Sequence, residues 1–188
     1  MDTICQHFCD DPQNFPLDKF FQKGVGVGQK VLFIGESPAP NGWRKSGKAC
    51  YTPDGKLLPT GKRLNELFNT FKLTVDKCGF TELAKCYVGK NKKLLKDCSR
   101  KCWPILLKQM ENNKSRLLII LGVHTTNIFS KLVKKELPIG KLTKIRVNGK
   151  TYTVLPIFHP SPINPYGHEK NKKIFAKLQN DINKNISS

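Results

Sequence analysis

The chain is short of acid: it has 14 Asp and Glu against 33 Lys and Arg, for a formal net charge of +19. A field of that size draws polyanions, nucleic acid first. A lysine-rich composition with no such partner is the plainer alternative. An acidic membrane surface is a weaker one, because no basic amphipathic anchor stands out. No apolar run approaches the roughly 18–20 residues that span a bilayer. The start, MDTICQHFCDD, has no basic region ahead of an apolar one, so no secretory signal is expected and the expected location is the cytoplasm. There is no internal repeat and no domain-splitting linker, which predicts one domain over residues 1–188, long enough for a sizeable core. An even complement of cysteines is also missing. The seven are Cys5, Cys9, Cys50, Cys78, Cys86, Cys98 and Cys102. An odd number in a reducing compartment argues against a disulfide framework. Their clustering at the N-terminus and between residues 78 and 102 favours metal or cluster ligation, with ordinary buried or free thiols as the other reading.

KVLFIG (30–35) and RLLIILG (116–122) are short, branched and apolar on both faces, the pattern of strands buried within a parallel sheet. Residues 80–87 make a weaker strand, and KIRVNGKTYTVLPIFHP (144–160) a hairpin about Asn148-Gly149. Leu64, Leu67, Phe68 and Phe71 lie at helical spacing within 61–72. Further helices are predicted over 98–113, with Pro104 near the start, over 123–136 and over 168–185. Residues 14–23 read as a short helix or turn. The alternation predicts a three-layer α/β/α sandwich around a mostly parallel sheet. In such sheets ligands bind beyond the carboxyl ends of the strands. Three polar segments fall there: GESPAPNG, GVHTT and HPSPINPYG. The first is abrupt. An apolar strand runs into a lone carboxylate, Glu36, and then a loop bearing Arg44, Lys45 and Lys48, as if to hold an anion or a reaction centre.

GESPAPNG after one strand and FHPSPINPYG after the last resemble the two signature motifs of the uracil-DNA glycosylase superfamily. Between them, FTELAKCYVG and RLLIILG are similar to the matching strand-loop and strand of its iron–sulfur branches. The resemblance covers roughly residues 28–165. Gly35-Glu36-x-Pro38 is like the fourth family. Pro38-Ala39 followed by Gly42, Arg44 and Gly47 is more like the fifth. The resemblance implies a monomeric enzyme that removes uracil, or a related deaminated base, from DNA. Two other readings remain: a glycosylase for hypoxanthine, xanthine or another lesion, and an inactive nucleic-acid-binding protein on the same scaffold. It also implies a structural [4Fe–4S] cluster on Cys5, Cys9, Cys86 and Cys102, soft thiolates that would suit zinc as well. Cys86 and Cys102 have fifteen residues between them, as in those branches. The first pair is C-x-x-x-C where the branches carry C-x-x-C, and Cys98 could displace one ligand.

The resemblance assigns roles residue by residue. His159 would donate a hydrogen bond to O2 of the departing base, worth about 3–4 kcal/mol for a donor aimed at developing charge. The loop of Gly35, Glu36 and Ser37 would hold the attacking water and stabilise the positive sugar. Some branches place Asp or Asn where Ser37 stands, which leaves Glu36, or the backbone, to orient the water. Asp54 is a reserve carboxylate, or simply a turn residue before Gly55. Tyr51 matches an aromatic that stacks on the flipped base. Glu82 stands where those families carry Asn, whose amide donates to uracil O4 and accepts from N3–H. An ionised Glu82 only accepts, so either a neutral carboxyl mimics the amide or the base is a different one. Ser161 and Pro162 would press on phosphates and Ile163 would wedge into the gap left by the base. Arg44, Lys45, Lys48, Lys90, Lys92 and Lys93 would contact phosphates.

Overall fold

The computed structural model describes residues 16–40 and 42–187. Six strands form one sheet: β1 (Phe21–Gln22), β2 (Val31–Gly35), β3 (Gly79–Glu82), β4 (Leu117–Leu121), β5 (Thr143–Val147) and β6 (Lys150–Ile157). Their order is β1-β3-β2-β4-β6-β5. The inner strands β3, β2, β4 and β6 run parallel, and β1 and β5 close the two edges antiparallel.

Both faces of β2 and β4 are covered, which is why they read as unbroken apolar runs. Val31, Phe33, Leu117, Ile119 and Leu121 point into one core. Helices α2 (Pro59–Phe68) and α5 (Pro165–Ser187) close that core through Leu64, Leu67, Phe68, Phe175 and Ile182. Leu32, Ile34, Leu118 and Ile120 point into the other, closed by α3 (Lys92–Asn112) and α4 (Val123–Leu132) through Leu95, Leu106, Met110 and Phe129. The result is the expected three-layer sandwich. A one-turn helix, α1 (Trp43–Ser46), lies between β2 and α2. No helix among the described residues is long and apolar enough to cross a membrane.

Three expectations need correction. Helix α3 begins at Lys92, where Asn91 caps it by accepting from the Leu94 amide at 2.9 Å, so Pro104 stands in its interior. Proline there removes the donor to the Arg100 carbonyl. Both residues are exposed, and water can take that carbonyl. The described part of 14–23 is a turn followed by the edge strand β1, held by Gln22 Nε2 donating to the Val75 carbonyl at 2.6 Å. Strand β3 ends at Glu82, and the chain leaves the sheet before Cys86.

Buried amides fix the ends that matter. Asn171 of α5 accepts from the Phe158 amide at 3.0 Å and donates to the Phe158 carbonyl at 2.8 Å. That clamps the backbone one residue before His159. Arg63 of α2 donates to the Ser161 carbonyl at 2.5 Å and anchors the loop beyond.

Candidate active site

The carboxyl ends of β2, β3, β4 and β6 open onto a cleft of about 180 Å³. Gly35, Glu36, Ser37, Trp43, Cys50, Phe80, Glu82, Leu121 and His159 are among its walls. Segments far apart in sequence thus supply one site, as parallel sheets do at their strand ends.

Glu36 leaves β2 still paired to the β3 side, because Leu83 and Ala84 donate their amides to the Gly35 and Glu36 carbonyls at 2.9 and 3.0 Å. Its Oε2 lies 3.1 Å from Nδ1 of His124, in the first turn of α4. His159 comes from the turn after β6 and nests against Gly122. A Cβ on Gly122 would approach the His159 Cβ to 3.3 Å, and the residue has φ +101, so glycine serves twice there. His159 is an exposed residue at the cleft, while the protein packed close around the ring partly desolvates the imidazole. Burial lowers its pKa, partly opposed by the Glu36 charge, so the ring is neutral at pH 7 and carries one N–H donor.

Glu82 pairs in register with Gly35. Its carboxyl occupies the space a Cβ on Gly35 would need, so a larger residue there would displace the carboxyl. Glu82 Oε2 is buried with no hydrogen-bond partner among the described residues. Burial pushes its pKa up to about 8, against the pull of Lys85 and with a push from Glu36. Burial pushes Lys85 down to about 7. The Lys85 Nζ donates to Thr81 Oγ1 at 2.7 Å and to the Glu82 carbonyl.

The remaining expected residues divide. Ser37 and Gly35 line the cleft. Tyr51 is not among its walls. The phenol donates to Asp76 Oδ2 at 2.7 Å while Lys48 lies 3.9 Å over the ring, and Lys48 also pairs with Asp76. The aromatic walls are Trp43 and Phe80, edge to face with centroids 5.5 Å apart. Asp54 is in a solvent-exposed turn, paired with Lys56 at 2.9 Å, and does not line the cleft. Arg44, Lys45 and Lys48 are exposed beside the loop. Ile163 stands 93% exposed between the exposed Pro162 and the half-buried Asn164, an apolar tip in water. A second hollow of about 360 Å³ lies on the other side of Glu36, walled by Lys90, Asn91, Lys92 and His124. Lys93 is exposed next to it.

Sequence reasoning missed Trp43, Phe80, Cys50 and His124 as site residues. The signal for His124 was its place in GVHTT, at the end of a buried strand. Nothing local marked the other three.

Cys86 follows β3 and Cys102 lies on α3, yet the Lys85 amide donates to Cys102 Sγ at 3.3 Å. The two cysteines are therefore neighbours in space, and an amide aimed at sulfur suits a thiolate ligand. Cys98 is one turn earlier on the same face of α3, within the core. Cys5 and Cys9 lie outside the described residues. Among the described residues no group of three or more metal-binding side chains forms. The pair seen fits half of a four-thiolate site. Burial pushes the thiols of Cys50 and Cys78 up to about 12, which leaves both protonated and unsuited to ligation.

The family model of the Uracil DNA glycosylase superfamily matches residues 23–183. The Type-4 uracil-DNA glycosylase of Saccharolobus solfataricus is 32% identical over 163 residues, covering 79% of this chain and 70% of that protein. The Type-4 uracil-DNA glycosylase of Archaeoglobus fulgidus is 24% identical over 163 residues, covering 81% of this chain and 78% of that protein.

Proposed function

The chain belongs to the uracil DNA glycosylase superfamily, and from that premise we propose that it hydrolyses the bond between uracil and deoxyribose in DNA. The product is an abasic site, the starting point of base-excision repair. The relatives' type goes with the Gly35-Glu36-x-Pro38 loop of this chain. The enzyme acts as a single monomeric domain on DNA.

A base inside the stack is out of reach, so the nucleotide flips into the cleft and lies against the wall made by Trp43 and Phe80. As the N1–C1′ bond breaks, its electron pair goes to the base and charge builds on O2. The neutral His159 donates its N–H there. The sugar becomes positive, and the Glu36 carboxylate faces it. Glu36 holds a water whose oxygen bonds to C1′ and whose proton passes to the carboxylate. His124 fixes the rotamer of Glu36 through the bond at Oε2. Exposed Arg44, Lys45 and Lys48 meet phosphates, and Ser161, Pro162 and Ile163 enter the gap left by the base.

Cys5, Cys9, Cys86 and Cys102 would hold a [4Fe–4S] cluster. When bound it supplies a structural tie between the N-terminal segment and the loop after β3, and no step of the hydrolysis passes through it.

The observation that carries this reading is that Glu36 and His159, far apart in the sequence, line one cleft. Its test is a labelled oligonucleotide with one uracil, incubated with protein purified without oxygen and then treated with alkali. The expected result is scission at the uracil and a brown protein. An intact strand with tight binding would instead describe an inactive DNA-binding protein.

A further inference from the structure

Glu82 is the one wall of the cleft with a buried polar atom lacking a partner among the described residues that line it. A buried oxygen left without a partner is destabilising unless something pairs with it. A ligand in the cleft is the natural partner. The position is also built for that carboxyl: β3 and β2 pair in parallel, Glu82 stands beside Gly35, and the missing Cβ of Gly35 makes the room.

We propose that Glu82 reads the base as an uncharged carboxylic acid, its hydroxyl donating to the O4 carbonyl and its other oxygen accepting N3–H. This rests on uracil being the base that enters the cleft. A carboxylate has only acceptors, and its lone pairs would face those of O4. A carboxylic acid offers one donor and one acceptor, the pair an amide side chain would present. The proton can sit on either oxygen, so the acid matches the O4 and N3–H edge of uracil without by itself excluding cytosine.

The surroundings agree with the charge state. The loop after β2 brings Glu36, whose negative charge disfavours a second carboxylate. The loop after α1 brings Cys50, held as a thiol, and β4 brings only the apolar Leu121. Beyond β6 stands His159, neutral at pH 7. Lys85 is the single opposing group, and its Nζ is directed to Thr81 Oγ1 and to the Glu82 backbone carbonyl. Burial outweighs it, with the group titrating at about 8.

The sign follows. The raised value keeps Glu82 protonated below about pH 8, where uracil is read, and ionises it above, where O4 is repelled. The kcat/KM for uracil release should fall about tenfold per pH unit beyond that titration. In E82Q the amide keeps a donor and an acceptor and has no proton to lose. Whatever its absolute rate, its profile should lack the alkaline fall. Infrared difference spectra of wild type against E82Q supply a readout independent of turnover: a protonated carboxyl band at pH 7 that vanishes as the pH rises. Uracil release with the same profile in both proteins, or a Glu82 band already ionised at pH 7, would overturn this inference alone. A wild type that releases no uracil at any pH would overturn the proposed function with it.

Discussion

Replacing His159 by Ala lowers the rate of uracil release by about 10²–10³-fold and leaves the affinity for uracil-containing DNA nearly unchanged. The split is the informative part. A hydrogen bond to O2 that strengthens as the base becomes an anion appears in kcat, because it is made in the transition state rather than on binding. Several features aim the ring. Gly122 leaves the space it packs into, and Asn171 clamps the Phe158 peptide beside it. Burial keeps the imidazole neutral, so its single N–H is the group on offer. Single-turnover rates at saturating enzyme, with anisotropy binding to an oligonucleotide bearing 2′-fluoro-2′-deoxyuridine, separate the two quantities. An H159A variant that turns over at the wild-type rate would remove the imidazole from the mechanism.

Glu36→Gln should cost about 10²-fold in the same rate. Glutamine keeps the length of the side chain and can still bond His124, so the cleft retains its shape. What it loses is the negative charge facing the oxocarbenium-like sugar and the capacity to take the water's proton. No other wall of the cleft replaces it: Ser37 is not a base, Glu82 is held uncharged by burial at neutral pH, and Asp54 points into solvent beside Lys56. Binding should be equal or tighter, because one negative charge leaves the neighbourhood of the phosphates. Single-turnover kinetics again give the answer, and an E36Q rate within threefold of wild type would move water activation to the backbone.

The layers were legible because β2 and β4 are buried on both faces, and such strands have no polar side to blur the pattern. The turn at Asn148-Gly149 marked the hairpin for an equally local reason: both residues take positive φ, +47 and +76. The start of α3 was not legible. Its first turn opens on two lysines and Pro104 drew the expected boundary toward itself, although Leu95, Cys98, Cys102 and Leu106 lie at helical spacing. Strand β1 is two residues long and exists only through pairing with β3. Within the site, Glu36 and His159 could be found because a polar residue at the end of an apolar strand is conspicuous. Trp43, Phe80 and Cys50 could not, since only the folded chain brings them to the same cleft. Tyr51 shows the limit most clearly. Cys50 before it has φ +63, and the phenol of Tyr51 bonds Asp76 rather than lining the cleft. No spacing rule reveals that direction.

The central claim is that one cleft at the strand ends receives the flipped base between Glu36 and His159. The crystal structure of the protein with an oligonucleotide carrying 2′-fluoro-2′-deoxyuridine tests it most directly. The uracil ring should lie against Trp43 or Phe80, with O2 at the His159 imidazole, its N3–H and O4 edge at Glu82, and C1′ facing Glu36. A base that remains stacked, or that enters the hollow beside Lys90 and Lys92 instead, would contradict the account.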